Sequence, residues 1–325
     1  GHTIRGWKLE GEGSHRGLFR YIQEGAIVKN LNVSCTVSVS GDWSGFGGIA
    51  GVNRGTIAQC SVSGAVNGSD RVGGIAGINE AAGEIINCTS SGVISGEHFT
   101  GGIAGENYGS IIQCTNKAKV NTRSEEVSPD LDGIDWGNLN STENIPACTD
   151  TGGIVGYSKG VLQGCINFGD VGYPHTGYNV GGIAGRAYAT VRENYAKCAL
   201  SGTCYVGGIA GWGDRLRDNC AIVTVAEGTE CVGAIAGDAD LEDGGLRANR
   251  FVDTGTAGVD GISYAGMAEP VAFEKLRQMP GVPMEFVSFT LTLVADGETV
   301  AQIPFRYGED LSLVDLPAVP EKEGC

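Results

Sequence analysis

The 325-residue chain has little positive charge, since 22 Lys and Arg stand against 38 Asp and Glu and give a formal net charge of −16. Nucleic acids and anionic membrane surfaces are bound by clusters of Lys and Arg, so this balance argues against both as partners. No apolar run approaches the ~18 residues of a membrane-spanning helix, and no membrane span is predicted. Proline is scarce too, with 9 residues beside 55 Gly, and the absence of a Gly-X-Y period excludes a collagen.

The abundant glycine is concentrated in one motif, Gly-Gly-Ile-Ala-Gly or a close variant, which occurs seven times. The copies begin at Gly47, Gly73, Gly101, Gly152, Gly181, Gly207 and Gly233. Successive copies start 26 to 29 residues apart, apart from one interval of 51 residues. A strand-like motif at such a period predicts a solenoid, in which each repeat buries its apolar face against its neighbours.

Short alternating runs of β-branched residues separated by Gly and Asn lie between the motifs, as in strands joined by turns. The sequence therefore predicts an all-β fold, a parallel β-helix of about eight coils, over residues 1–266. Each strand would pair with its counterpart in the next coil at a distance of about 4.8 Å.

Stacked coils predict columns of equivalent residues. One column is predicted to hold Cys60, Cys88, Cys114, Cys165 and Cys220, with Leu31, Asn194 and Arg250 in the other coils. The residue before this column is an amide in six coils, namely Asn30, Gln59, Asn87, Gln113, Asn219 and Asn249. Asn53, Asn79 and Asn107 form a further column. Amides stacked in register can bond to one another and to turn backbone, so these amides are interpreted as structural.

The 11 cysteines raise the question of disulfides. Stacked residues have parallel Cβ vectors about 4.8 Å apart, which is too far for a disulfide, so the column is predicted to hold buried free thiols. Metal ligation by the column is a weaker alternative, because the chain has no Cys-x-x-Cys motif. Cys204 and Cys231 precede consecutive motifs, and a disulfide between them stays open.

The 51-residue interval contains an acidic insertion, roughly residues 121–150. Its run from Asp130 to Asn138 places four oxygen-bearing side chains around a Gly, which is the donor set that Ca²⁺ prefers. Those residues are Asp130, Asp132, Asp135 and Asn138. A solvated acidic loop is the alternative interpretation, and no other cofactor is predicted.

An aromatic series follows successive motifs in coils four to seven. Its members are Tyr108, Tyr157, Tyr188 and Trp212, each within a few residues of the same Gly. Aromatic faces in a row suit stacking against sugar rings, so these residues are the candidate ligand-binding residues. Local packing of the turns is the alternative.

The repeat pattern ends near Gly266. Residues 267–284 are interpreted as a linker with a short capping helix over 269–279, in which Pro270 occupies the first turn and Pro280 ends the helix. Residues 285–325 are interpreted as a small β-grasp-like repeat. Its strands are predicted over 286–294 and 299–305, around a turn at Asp296 and Gly297.

Two family resemblances follow from these residues. Gly17-Leu-Phe, Gly25-Ala-Ile-Val-Lys-Asn-Leu31 and the repeated Gly-Gly-Ile-Ala-Gly motif resemble the GLUG-motif repeats of bacterial surface and secreted proteins, over about residues 18–262. Thr290 to Cys325, with Tyr307-Gly-Glu-Asp-Leu311, resembles the start of an internalin B-repeat, an incomplete one. Both resemblances imply an exported, adhesin-like protein at the extracellular side of a bacterial cell surface, and neither transfers a catalytic residue.

Three functions fit this picture. The first is a non-enzymatic cell-surface module that binds glycans or host proteins on the outer face of the β-helix. The second is a polysaccharide lyase or hydrolase, which rests on fold analogy alone and would need clustered carboxylates. Only Asp130, Asp132 and Asp135 approach such a cluster. The third is a passive spacer within a larger surface protein. The sequence favours the first of these, with no enzymatic activity.

Overall fold

The structure, a computed structural model, describes residues 1–122, 148–173, 177–227, 229–241, 244–295 and 298–309. The chain divides into two compact units, Gly1–Val271 and Ala272–Cys325. The first unit is a parallel β-helix of eight coils. One strand from each coil pairs with the equivalent strand of the next coil, from Phe19–Ile22 to Ala236–Ala239. The predicted all-β solenoid is confirmed.

Three parallel sheets build the first unit. Sheet 1 consists of His2–Gly11, Leu31–Val39, Ser61–Asn67, Thr89–Ser95, Thr115–Asn116, Lys119–Val120, Ile166–Asn167, Tyr195–Leu200, Cys220–Val225, Asn249–Phe251 and Ala268–Pro270. Sheet 2 has two rows, and its first row consists of Phe19–Ile22, Ala50–Asn53, Ala76–Asn79, Ala104–Asn107, Val155–Ser158, Ala184–Arg192, Ala210–Arg217 and Ala236–Ala239. Its second row consists of Ile27–Lys29, Thr56–Ala58, Glu84–Ile86, Ser110–Ile112, Val161–Gln163 and the distal halves of Ala184–Arg192 and Ala210–Arg217. Sheet 3 consists of Ser44–Gly47, Asp70–Gly73, His98–Gly101, Thr149–Gly152, Tyr178–Gly181, Cys204–Gly207 and Glu230–Gly233.

The motifs stack in the register that their period predicts. The first Gly of each motif pairs with the first Gly of the next, from Gly47 and Gly73 through to Gly207 and Gly233. The isoleucines of the motif lie inside the stack and are fully buried, as are Ile57, Ile85 and Ile111 of the second row of sheet 2. Burial of these side chains is the main stabilising contribution, at roughly 25 cal/mol per Å² of apolar surface.

The glycines of the motif are needed because backbone from neighbouring coils fills the space of a side chain. A Cβ on Gly101 would lie 2.6 Å from the Cα of Val155, and one on Gly102 would lie 2.2 Å from the carbonyl oxygen of Gly153, both in the next coil. A Cβ on Gly105 would lie 2.3 Å from the carbonyl carbon of Arg71, in the preceding coil. The repeated motif is therefore the sequence signature of close coil-to-coil contact.

The predicted cysteine column is confirmed for Leu31, for the four cysteines from Cys60 to Cys165 and for Asn194, and it is wrong by one residue at Cys220 and Arg250. Cys60, Cys88, Cys114 and Cys165 each precede residues that pair with one another in sheet 1. Tyr195, however, pairs with Cys220, and Cys220 pairs with Arg250. The column therefore continues as Asn194, Asn219 and Asn249.

Buried amides explain the change of register at Cys220. The side-chain Nδ2 of Asn194 donates to Oδ1 of Asn219 at 3.1 Å, and Nδ2 of Asn219 donates to Oδ1 of Asn249 at 2.9 Å. All three side chains are fully buried. A buried amide must find hydrogen-bond partners, and this column supplies them.

The amide residues that precede the cysteines are explained by backbone conformation rather than by the predicted stacking of their side chains. Asn30, Gln59, Asn87 and Gln113 have φ between 52° and 55°, in the left-handed region. The next coils place Gly164, Glu193, Asp218 and Ala248 there, with φ between 54° and 65°. Asn is among the residues that adopt this conformation most readily, so backbone geometry accounts for its presence. The predicted amide ladder is confirmed in the other column, where Nδ2 of Asn53 donates to Oδ1 of Asn79 at 2.8 Å and Nδ2 of Asn79 donates to Oδ1 of Asn107 at 2.8 Å.

The cysteines of the described residues are free thiols, including Cys204 and Cys231. Burial raises the pKa of Cys35 from its ordinary value of 9.0 to about 11. Burial also raises the pKa of Cys220 to about 12. The folded state therefore favours the neutral thiols.

This shift predicts a loss of stability in alkaline solution. A group whose pKa is raised on folding stabilises the fold below its unfolded pKa and loses that contribution as the pH rises towards its folded pKa. The free energy of unfolding should therefore fall between about pH 9 and about pH 11, by roughly 1.4 kcal/mol per pH unit for each such thiol. Urea unfolding at a series of pH values, under reducing conditions, measures this slope. The Cys35→Ala/Cys220→Ala variant should have a shallower slope, and an unchanged slope would contradict the assignment.

The second unit contains a short helix and a hairpin. The helix spans Phe273–Leu276 only, so the helix predicted over 269–279 is wrong in extent. It begins late because Ala268–Pro270 is a strand paired with Asn249–Phe251 in the first unit's sheet 1. The predicted hairpin is confirmed, since Phe289–Ala295 and Glu298–Phe305 pair as antiparallel strands. The turn at Asp296 and Gly297 and the end of the chain from residue 310 lie outside the described residues.

Candidate binding face

Each of the seven motifs has a left-handed residue two positions before it. These residues are Gly45, Arg71, Phe99, Asp150, Asn179, Tyr205 and Cys231, with φ between 50° and 87°. Three of them contact a side chain of sheet 2 in the next coil: Arg71 contacts Glu106, Phe99 contacts Tyr157, and Asp150 contacts Arg186. The boundary between sheets 3 and 2 thus brings together residues that are far apart in sequence.

Four aromatic rings form a continuous group at this boundary, which we name the aromatic cluster. Its members are Phe99, Tyr157, Tyr188 and Trp212. The ring centroids of Phe99 and Tyr157 lie 5.3 Å apart, those of Tyr157 and Tyr188 5.6 Å apart, and those of Tyr188 and Trp212 4.8 Å apart. Phe99 is buried at the base of the cluster, while Tyr188 is 40% exposed. The cluster therefore exposes aromatic surface to solvent, and the buried ring of Phe99 packs beneath it.

Strand register explains which predicted residues meet. Glu106, Tyr157, Arg186 and Trp212 occupy one column of sheet 2. Tyr108 and Tyr188 lie two positions further along the chain than this column, each next to a residue paired in that sheet. The predicted series is thus two neighbouring columns, and Tyr157, Tyr188 and Trp212 come together.

Tyr108 is held apart from the cluster by its hydroxyl group. That hydroxyl donates to Oε1 of Glu106 at 2.6 Å, and Glu106 is itself paired with Arg71. Burial, followed by the hydrogen bond to Glu106, raises the pKa of Tyr108. Among the ring contacts of the described residues, none joins Tyr108 to the aromatic cluster. Tyr108 borders the cluster rather than belonging to it.

Lys159 supplies a positive charge to the aromatic cluster. Its Nζ lies 5.6 Å from the ring centroid of Tyr157 and 5.9 Å from that of Tyr188. Burial raises the pKa of Tyr157, and the hydrogen bond with Lys159 opposes that shift. The hydroxyl of Tyr157 is therefore protonated at neutral pH, and the cluster carries hydrogen-bond donors beside its apolar faces.

Two ion pairs fix the residues around the aromatic cluster. Nε of Arg71 lies 2.8 Å from Oε2 of Glu106, and its guanidinium lies 5.0 Å from the ring centroid of Phe99. Nε of Arg186 lies 3.2 Å from Oδ1 of Asp150, whose side chain is fully buried. Nδ2 of Asn179 donates to the same Asp150 oxygen at 3.0 Å. These contacts order the face before any ligand arrives, which lowers the entropic cost of binding.

Sequence reasoning missed three residues of this face, namely Phe99, Lys159 and Arg186. Each of them contacts a residue of a neighbouring coil: Phe99 contacts Tyr157, Lys159 contacts Tyr188, and Arg186 contacts Asp150. The motif register would find Phe99 and Arg186, because it places the residue two positions before one motif beside the residue that directly follows the next motif.

The predicted Ca²⁺ ligands Asp130, Asp132, Asp135 and Asn138 lie outside the described residues. In the described part of the chain, no group of three or more His, Cys, Asp and Glu side chains is arranged to hold a metal ion. Within the same residues, no helix has the length and apolar character needed to cross a membrane.

Comparison with known proteins gives one family motif and two similar proteins. Residues 68–95 match the family model of the GLUG motif. Over 78 residues, or 24% of this chain, the sequence is 35% identical to halomucin of Haloquadratum walsbyi, and the match spans about 1% of the length of that protein. The crystal structure of a "putative immunoglobulin A1 protease" from Bacteroides ovatus is similar with a TM-score of 0.44 and 18% identity, over 77% of this chain and 68% of that chain.

Proposed function

We propose that this chain is a non-enzymatic module of an exported bacterial surface protein, and that it binds glycans through the aromatic cluster. The observation that carries the proposal is the cluster itself, in which Tyr157, Tyr188 and Trp212 share one solvent-facing surface beside Lys159. Aromatic faces give apolar contact to the C–H side of a sugar ring, while the neighbouring donors bond its hydroxyl groups.

The family motif supports the coarser part of this proposal. The GLUG match at residues 68–95 and the similarity to halomucin are in keeping with a surface-type protein. A rigid stack of coils suits the role, because it holds side chains from separate coils at fixed distances. The extracellular location and the glycan ligand belong to the proposal.

A glycan array tests this function, with the whole chain applied in the presence of Ca²⁺ and of a chelator. The wild-type chain should bind a defined group of glycans, and the Tyr157→Ala/Trp212→Ala variant should lose at least about tenfold in affinity, because central aromatic residues dominate such contacts. Phe19→Ala/Trp43→Ala is the matched control, since both residues are large, aromatic and partly exposed in other parts of the β-helix.

Each outcome of the array has a different meaning. Binding that survives Tyr157→Ala/Trp212→Ala would place the ligand elsewhere on the chain. Absence of binding across the array would favour a protein ligand or a passive spacer. Cleavage of a bound glycan, measured as new reducing ends, would replace the non-enzymatic assignment with a polysaccharide lyase or hydrolase. Binding that requires Ca²⁺ would support a calcium requirement.

A further inference from the structure

Three arginines stack in register on the surface next to the aromatic cluster. The backbone of Arg192 pairs with that of Arg217 in sheet 2. The backbone of Arg217 forms an isolated parallel β-bridge with that of Arg247 in the following coil. All three side chains are exposed. We name this group the arginine ladder. It is notable in a chain whose net charge is −16.

The fold does not require arginine at these positions. The same column of sheet 2 holds Lys29, Ala58, Ile86, Ile112 and Gln163 in the preceding coils. Like charges on adjacent strands, about 4.8 Å apart, repel one another and destabilise the sheet. A column that tolerates alanine and isoleucine therefore carries three cations at a cost, and an anionic ligand would offset that cost.

The arginine ladder borders an open cavity of about 490 Å³, lined by Val161, Thr190, Arg192, Glu193, Arg217, Asp218 and Arg247. Nη2 of Arg192 donates to Oε1 of Gln163 at 2.7 Å, and Nη2 of Arg217 donates to the carbonyl of Gly244 at 3.4 Å. Oε2 of Glu193 accepts from Nε2 of Gln163 at 2.8 Å. The ion pairs formed among the described residues involve none of the three ladder arginines. Guanidinium donors thus stay available to a ligand.

The arginine ladder and the aromatic cluster share two strands. Tyr188 and Arg192 both belong to Ala184–Arg192, and Trp212 and Arg217 both belong to Ala210–Arg217. Along the first strand, Tyr188 and Arg192 are both exposed, and a register shift lies between Ala187 and Thr190. Because Tyr188 and Arg192 are four residues apart, their Cα atoms are separated by at most about 14 Å, and one oligosaccharide can reach both.

We propose that the arginine ladder binds the carboxylate or sulfate groups of an acidic glycan whose sugar rings stack on the aromatic cluster. Arginine is suited to this role because its planar guanidinium forms paired hydrogen bonds with such oxyanions. This inference rests on the proposed function in taking a glycan as the ligand, and it adds the charge class of that glycan.

Calorimetric titration with matched probes tests the arginine ladder. The probes are an oligogalacturonate and its neutral methyl ester, a chondroitin sulfate oligosaccharide and its unsulfated form, sodium sulfate, and a single-stranded oligonucleotide. At least one acidic saccharide should bind at least about tenfold more tightly than its less charged partner, and this preference should weaken as NaCl is added.

The Arg192→Gln/Arg217→Gln/Arg247→Gln variant should lose this preference while keeping its affinity for the less charged partner. A charge-matched control is Lys8→Gln/Lys117→Gln/Lys119→Gln, which removes three exposed cations in or next to sheet 1 and should bind as the wild type does. Equal binding of acidic and less charged saccharides, or a preference that survives in the arginine variant, would overturn the proposal. Binding of sulfate alone, or of the oligonucleotide as tightly as the saccharides, would also overturn it.

The same titrations separate the two proposals. If acidic binding depends on the ladder but is unchanged in Tyr157→Ala/Trp212→Ala, the arginine ladder stands as an anion site and the aromatic cluster fails as the glycan site. If the aromatic variant loses all saccharides while the arginine variant keeps the acidic preference, the proposed function stands and the ladder fails.

Discussion

Replacement of Gly105 by Ala is expected to destabilise the β-helix by more than about 3 kcal/mol, which is a large share of the stability of most domains. The added Cβ would lie 2.3 Å from the carbonyl carbon and 2.6 Å from the Cα of Arg71, and 2.5 Å from the amide nitrogen of Val72. These atoms are backbone held by the hydrogen bonds of two coils, so they cannot move aside as a flexible side chain would. Urea unfolding, followed by circular dichroism, measures the loss.

Gly164→Asn is the matched control for Gly105→Ala. Gly164 has a φ of 65° and occupies the left-handed column that holds Asn87 and Gln113 in earlier coils. Its Cβ would approach Cγ of Gln113 at 3.3 Å, and that side chain can shift. The free energy of unfolding should change by less than about 1 kcal/mol. Gly105 does not have a positive φ, so a loss in Gly105→Ala as small as that in Gly164→Asn would show that the approach of neighbouring coils does not select glycine in the motif.

Replacement of Arg186 by Met is expected to cost about 3–5 kcal/mol of stability, because it removes the guanidinium that is paired with the buried carboxylate of Asp150. Asp150 is fully buried, and Nε of Arg186 lies 3.2 Å from its Oδ1. Methionine keeps most of the aliphatic part of the arginine side chain, so the loss reports the missing charge rather than lost packing.

The double variant Asp150→Asn/Arg186→Met separates the ion pair from its surroundings. Asparagine removes the buried charge and retains an oxygen that can accept from Nδ2 of Asn179, which bonds Asp150 at 3.0 Å in the wild type. We therefore expect the double variant to recover at least half of the stability lost in Arg186→Met. Additive losses in the two single variants, measured by urea unfolding of all four proteins, would contradict an ion pair that acts as a unit.

The fold could be predicted from the sequence because its repeated motif is a direct record of coil contacts. Gly101, Gly102 and Gly105 each face backbone, so glycine recurs wherever coils meet. The register predicted from the sequence is wrong at Cys220, because Asn219-Cys220 has the same order of residue types as Asn87-Cys88 and aligns with it. The order alone does not say which of the two residues is turned inward when a coil shortens. Buried hydrogen bonds between Asn194 and Asn219 decide it.

The candidate face was predicted less completely than the fold. Tyr157, Tyr188 and Trp212 were identifiable because they lie near the motif that defines the period. Phe99 and Arg186 were not, because their importance comes from contacts with the adjacent coil. The left-handed column was also hidden, since it holds residues as different as Arg71, Phe99 and Cys231. No single residue type marks a backbone conformation that the stack imposes.

The long interval between two motifs leaves the stack undisturbed. Gly101 pairs with Gly152 across 51 residues just as Gly73 pairs with Gly101 across 28 residues. The motif, rather than the number of residues between two motifs, therefore decides which strands become neighbours. The period of the sequence can be broken once, and the register of the sheets is still kept on both sides of the break.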